Sequence, residues 1–180
     1  MSEYKLSENN WTRVAVFAGG DRGHYRTNFD CFIGVDRGSL WVLEENLPLA
    51  LAVGDFDSVT AEERQVIQKS SQRFIQAQPE KDDTDLELAL LTIFEKNPQA
   101  QVTIFGALGG RIDHMLANVF LPSNPKLAPY MRQIAIEDGQ NLIAYCPEGT
   151  SQLQPRSDYE YLAFMPVRDS QLTILGAKYE

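Results

Sequence analysis

The stretch GDFDS, residues 54–58, sets Asp55 and Asp57 one residue apart directly after the apolar run Leu49–Val53. Two carboxylates at that spacing either open a turn with both charges in water or share a divalent cation that cancels their repulsion. Acids recur at matching places. Asp36 follows the apolar run Cys31–Val35, Asp82, Asp83 and Asp85 follow Phe74–Ala77, and Asp113 lies in FGALGGRIDH after Val102–Phe105. Each has a local reading as a turn former, a helix-dipole partner or an N-cap. Acids at the end of one apolar run after another suggest a common cause, and Mg²⁺, which combines one or two carboxylates with water and substrate phosphate oxygens, suits the pattern.

The same segments offer groups for an anion. GALGG stands between a strand and a helix, so its backbone N–H groups and Arg111 can face a phosphate; the glycines can equally serve a tight turn. The loop lacks the Lys-Ser/Thr pair of a Walker A motif, and its glycine spacing is not the dinucleotide fingerprint. AGGDRG, after the first apolar run, is a weaker version. Arg37 and Lys81 adjoin acids, where each either neutralises phosphate charge or pairs locally. The two histidines, His24 and His114, have no partner at helical metal-ligand spacing, which argues against zinc.

These residues need a scaffold that brings them together. The runs Val14–Ala18, Cys31–Val35, Leu49–Val53, Phe74–Ala77 and Val102–Phe105 alternate with amphipathic stretches, the signature of βαβ units and a parallel sheet. In such sheets ligands bind beyond the carboxyl ends of the strands, so the separated acids converge on one rim. Helices are predicted in SLWVLEEN, after TAEE and TDLE, where Thr60 with Glu63 and Thr84 with Glu87 have capping-box spacing, and in DHMLANVFL. Met115, Phe120 and Leu121 read as core. Three prolines in PSNPKLAP mark residues 122–130 as a linker. Beyond it, RQIAIEDGQNLIAYC reads as a hairpin around Asp138-Gly139, and YLAFMPV and QLTILG as two further strands.

The expected fold is therefore α/β. Residues 1–122 form a Rossmann-like parallel sheet flanked by helices, and residues 131–180 form an all-β, sandwich-type domain. That second part is shorter than the roughly 100 residues of an ordinary sandwich, so it reads as truncated. A formal net charge of −9 argues against a nucleic-acid partner, whose phosphates require a basic face. It is compatible with a polyphosphate ligand met through divalent cations. Cys31 and Cys146, far apart and without a CxxC motif, read as reduced core thiols of a cytoplasmic protein. The start MSEYKLSENNWTR is polar, and no apolar run approaches the ~18 residues of a membrane helix, so no leader or membrane segment is expected.

GVDRGS, GDFDS, KDDTDLELAL and GALGGRIDHMLAN, in this order and spacing, resemble the motif series of the thiamine pyrophosphokinase family. The resemblance runs from about residue 14 to residue 121 and more weakly through the tail. It implies an ATP-dependent enzyme that moves the terminal pyrophosphate of ATP to the hydroxyl of thiamine, giving thiamine diphosphate and AMP. It also implies a homodimer with thiamine at the subunit interface. By motif position Asp36, Asp55, Asp57 and Asp85 would surround Mg²⁺. The ATP and phosphate site would take Arg37, Ser58, Lys81, Thr84, Gly109, Gly110, Arg111, Asp113, His114 and Asn118. Asp55, Asp57, Asp85 and Arg111 would carry catalysis, with Asp55 or Asp57 orienting or deprotonating the thiamine hydroxyl. No thiamine-binding residue is assigned; Trp41, Tyr161 and Phe164 are either stacking surfaces or core.

Two departures from the family pattern stand out. Arg37 occupies a place where glycine is common, and LTILGAKYE resembles the family's late G-x-K-Y strand, after which the family continues with more strands and a Ser-Asn-Glu stretch. Two other readings compete. DFDSV fits the Asp-x-Asp-x-Val motif of a haloacid-dehalogenase-type phosphatase, although there the motif should follow the strand directly, whereas Gly54 intervenes, and GALGGRIDH is left without a role. A non-catalytic nucleotide or thiamine sensor would bind ATP with Mg²⁺ and release no AMP.

Overall fold

The expected parallel strands Val14–Ala18, Cys31–Val35 and Leu49–Val53 are apolar on successive residues, which means that both their faces must be covered. The computed structural model, which describes residues 11–21, 23–78, 83–154 and 156–176, meets this requirement. The strands are β1 (Arg13–Phe17), β2 (Cys31–Val35), β3 (Leu49–Gly54), β4 (Arg73–Gln76) and β5 (Gln101–Phe105). The helices are α1 (Gly38–Glu44), α2 (Ala61–Ser70), α3 (Asp85–Lys96) and α4 (Ile112–Phe120). Val14 and Val16 of β1 join Ile33 and Leu51 in a core closed by Leu86, Ala89, Leu90 and Ile93 of α3. Ala15 and Phe17 point the other way and join Phe32 and Ala52 beneath Val42 of α1 and Ile67 of α2.

The sheet has seven strands in the order β4-β3-β2-β1-β5-β6-β7, with β6 at Ile134–Glu137 and β7 at Leu142–Ala144. The chain moves outward from β1 to β4, then returns to lay β5 against the free side of β1. Crossovers of one hand land on opposite faces when the direction of travel reverses, which accounts for α1 and α2 on one face and α3 on the other. The reversal between β1 and β5 is a topological switch point, where open sheets of this kind form a crevice. Among its described residues the β1–β2 connection contains no helix; its Tyr25 and Phe29 pack edge-on against Phe17 and Phe105, with ring centroids 5.4 and 5.8 Å apart.

The hairpin expected around Asp138-Gly139 is present, with Ala135 opposite Ala144 and Glu137 opposite Leu142. It extends the same sheet, because β6 runs parallel to β5 and buries Ile134 and Ile136 in the α3-side core. The runs Tyr161–Val167 and Gln171–Gly176, expected as strands, carry no ladder pairing among the described residues. Strands persist only where a neighbour takes their backbone groups, and here the apolar side chains lie largely in solvent, Tyr161 at 86% and Leu175 at 85% exposure. Tyr161 and Phe164 are thus not core. Cys31 is buried, and burial pushes its thiol up to about 12, whereas Cys146, expected inside, is exposed. Phe120 is also exposed, since α4 buries none of its residues fully. Among the described residues no helix is long and apolar enough to cross a membrane.

The two predicted capping boxes differ. At α2 the Thr60 hydroxyl accepts the Glu63 amide at 3.2 Å and the Glu63 carboxylate accepts the Thr60 amide at 2.8 Å. At α3 the Thr84 hydroxyl accepts the Glu87 amide at 3.1 Å, but the Glu87 carboxylate turns to Asn124. Thr60→Ala is expected to cost about 1 kcal/mol of stability. Urea unfolding checks this, and Thr60→Ser should stay near the parent.

Candidate active site

Asp36 leaves β2 in the left-handed region, at φ 48°, while its amide still donates to the Val53 carbonyl of β3 at 2.9 Å. This conformation turns its carboxylate along the end of β3, where Oδ1 accepts the Phe56 amide at 3.1 Å. Glycine at 54 makes room for it: a Cβ there would overlap the Asp36 carboxylate. Phe56, also left-handed at φ 59°, is buried and stacked on Phe74 at 4.7 Å. Packing thus holds two uncommon backbone conformations at the rim.

Asp36, Asp55 and Asp85 come together there. Each places one carboxylate oxygen within 4.8 Å of the other two, and all three side chains are half-buried. Burial first, then the Asp85 charge and more weakly those of Asp55 and Asp57, push the Asp36 carboxyl up to about 7, against the Phe56 hydrogen bond. Three converging carboxylate oxygens on rigid strand and helix ends form a hard donor set that fits Mg²⁺. The fourth expected ligand, Asp57, is not brought into this group: it is exposed, and its amide donates to Asp55 Oδ1 at 3.0 Å. Asp55 thus opens a turn and also faces the other two acids.

Because β3 includes Gly54, Asp55 does follow the strand directly. Gly54 is therefore compatible with a phospho-aspartate at Asp55, whereas that chemistry leaves the glycine-rich loop without a role.

Around the cluster, Arg37 reaches from the start of α1 to the Ser58 carbonyl at 3.3 Å, and Thr84 caps the helix that begins with Asp85. Lys81 and Asp82 lie outside the described residues. At the switch point the first glycine loop meets the second, with the Gly20 amide on the Gly106 carbonyl at 3.0 Å. Gly109 and Gly110 are both left-handed, at φ 85° and 69°, a turn that side-chain-bearing residues rarely adopt. Asn118 of α4 donates to the Ala107 carbonyl at 3.1 Å and fixes the helix to the loop. Trp41 lies under Gly106 and is a half-buried support for that loop. Arg111 holds Asp113 through two contacts, at 3.2 and 2.6 Å, which keeps the Asp113 carboxyl below its usual range. That pair is open to solvent, with side chains 71% and 65% exposed, and His114 beside it is exposed too.

The family described as "Thiamin pyrophosphokinase, catalytic domain" matches residues 23–130, which include the whole rim from Asp36 to Asn118. A curated thiamine pyrophosphokinase of Bacillus subtilis (strain 168) is 36% identical, over 92% of this chain and 80% of its own length. The chain belongs to the thiamine pyrophosphokinase family.

Among solved structures, a thiamin pyrophosphokinase family protein from Enterococcus faecalis superposes with a TM-score of 0.73 at 48% identity, covering 77% of this chain and 67% of that one. A protein from Lactobacillus plantarum gives 0.63 at 34% identity, over 74% and 64%. The family motifs account for the residues that sequence reasoning found. They did not point to Asp21, whose carboxylate lies 3.1 Å from where a Gly109 side chain would begin; its only signal was the AGGDRG loop. Nor did they point to Asn124 and Lys126, which read as linker.

Proposed function

We propose that this chain transfers the pyrophosphoryl group of ATP to the hydroxyl of thiamine, yielding thiamine diphosphate and AMP, with the rim from β3 to β5 as its active site. The convergence of Asp36, Asp55 and Asp85 on one point, on the same rim as the glycine-rich loop, carries this reading. Transfer of this kind asks the protein mainly for positioning and charge stabilisation. Asp36, Asp55 and Asp85 would hold Mg²⁺, which would supply neutralisation of charge on the phosphates. Gly109, Gly110 and the start of α4 offer N–H groups to the polyphosphate, with Arg37, Ser58 and Thr84 on its other side and Asp113, His114 and Asn118 toward the nucleoside; Lys81, outside the described residues, is assigned to the same phosphates by its motif alone. Arg111 would exchange its Asp113 contact for phosphate.

Asp57 stands beside the cluster and outside it, which suits a group that orients the thiamine hydroxyl and takes its proton. Residues 1–122 supply the ATP half and the tail from residue 131 the thiamine half, its exposed apolar runs forming strands in a homodimer that holds thiamine between subunits. Reduced thiols and the absence of any long apolar helix among the described residues suit the cytoplasm.

The deciding experiment is AMP release from ATP and Mg²⁺ with and without thiamine. Thiamine-dependent AMP is the expected result. ATP binding without AMP would replace this reading with the sensor, and phosphate release from small phosphoesters would replace it with the phosphatase.

A further inference from the structure

Glu87 occupies the position from which Glu63, in the other helix with the same start signal, reaches back to its own N-cap. It does something else. Its side chain is buried, and it accepts Asn124 Nδ2 at 2.9 Å, with Lys126 Nζ 3.7 Å away. Lys126 also pairs with Asp83. The linker turn that carries these two groups is itself rigid. Asn124 Oδ1 accepts the Lys126 amide at 3.0 Å, its carbonyl accepts the Leu127 and Ala128 amides at 2.9 and 2.8 Å, and Leu127 is completely buried.

One linker turn thus grips the chain two residues before and two residues after Asp85. Carboxylates that must converge within a few ångströms need their backbone fixed, and groups that orient a metal ligand without touching the metal typically matter about 10- to 100-fold in metal affinity. We propose that Lys126 and Glu87 are positioning residues that hold Asp85 against Asp36 and Asp55, so that the linker into β6 sets the Mg²⁺ affinity of the rim. This rests on the proposed metal role of the three aspartates.

The test is a Mg²⁺ titration of the full chain, read both as melting temperature without substrates and as AMP formation with ATP and thiamine. Lys126→Met is expected to raise the Mg²⁺ midpoint about tenfold in both readouts, while kcat at saturating Mg²⁺ falls far less. Lys126→Arg, which keeps the charge on Asp83 and Glu87, should restore most of the affinity. Glu87→Gln, which can still accept Asn124, should shift the midpoint in the same direction. An unchanged midpoint in Lys126→Met overturns the proposal, as does a loss of urea stability at constant Mg²⁺ midpoint. A parent chain whose melting temperature ignores Mg²⁺ overturns it too. If the parent responds to Mg²⁺ but makes no AMP, the melting titration still decides the matter, and only the pyrophosphoryl-transfer reading fails.

Discussion

Asp55→Asn is expected to reduce thiamine-dependent AMP formation by about 10³-fold while leaving the fold intact. The position follows β3 directly, and its Oδ1 accepts the Asp57 amide, a bond that an asparagine oxygen can keep. What disappears is one of three negative charges facing a common point. A site that stabilises charge electrostatically loses about 10²–10³ per well-placed group, and weakened metal binding adds to this. Steady-state AMP assays at fixed Mg²⁺, with circular dichroism and melting temperature as controls, provide the measurement. Asp57→Asn should lower turnover as well, yet spare Mg²⁺-dependent ATP binding, because Asp57 lies outside the three-carboxylate group. A folded Asp55→Asn chain with near-parental turnover would remove Asp55 from the chemistry.

The second large effect concerns Asp36 and pH. With its carboxyl at about 7 in the folded chain and near 4 when unfolded, Asp36 keeps a proton in the fold that the unfolded chain has released throughout that window. Stability is therefore present in full below about pH 4, is lost as pH rises through about 7, and levels off once Asp36 is ionised in both states. A divalent cation opposes the decline, so Mg²⁺ should raise the melting temperature more at pH 8 than at pH 5.5. Asp36→Asn should stabilise the metal-free chain at pH 8 by about 1 kcal/mol, or ~3 °C, and abolish the Mg²⁺ response. Asparagine tolerates the left-handed backbone at this position and can still accept the Phe56 amide. Scanning calorimetry at the two pH values decides; a less stable Asp36→Asn chain at pH 8 would show that the carboxylate is not strained by its neighbours.

Much of the sheet was legible because parallel strands covered on both faces have to be apolar throughout, as Cys31–Val35 and Leu49–Val53 are. The rim was legible because acids and glycines follow those runs. Long-range geometry was not. Nothing local in GDFDS says that Asp55 turns inward and Asp57 outward, since that depends on Gly54 making room for a carboxylate from another strand. The capping signal at Thr84 was read correctly for its hydroxyl and wrongly for Glu87, whose alternative partner lies 37 residues away. Tyr161–Val167 and Gln171–Gly176 have strand-like composition, but ladder pairing decides strands, and neither run is a strand among the described residues.

The strand order also has a consequence for synthesis. β1 pairs with β2 on one side and β5 on the other, yet Phe105 follows Val35 by 70 residues. At ~5–20 residues per second, the second edge of β1 waits roughly 4–14 s on the ribosome after the first is paired. During that interval the acidic half of the rim can already assemble from β2, β3 and α3, while an apolar strand edge stays open to other nascent chains. Chaperone dependence, and aggregation when translation stalls between residues 36 and 100, should accordingly concentrate on β1.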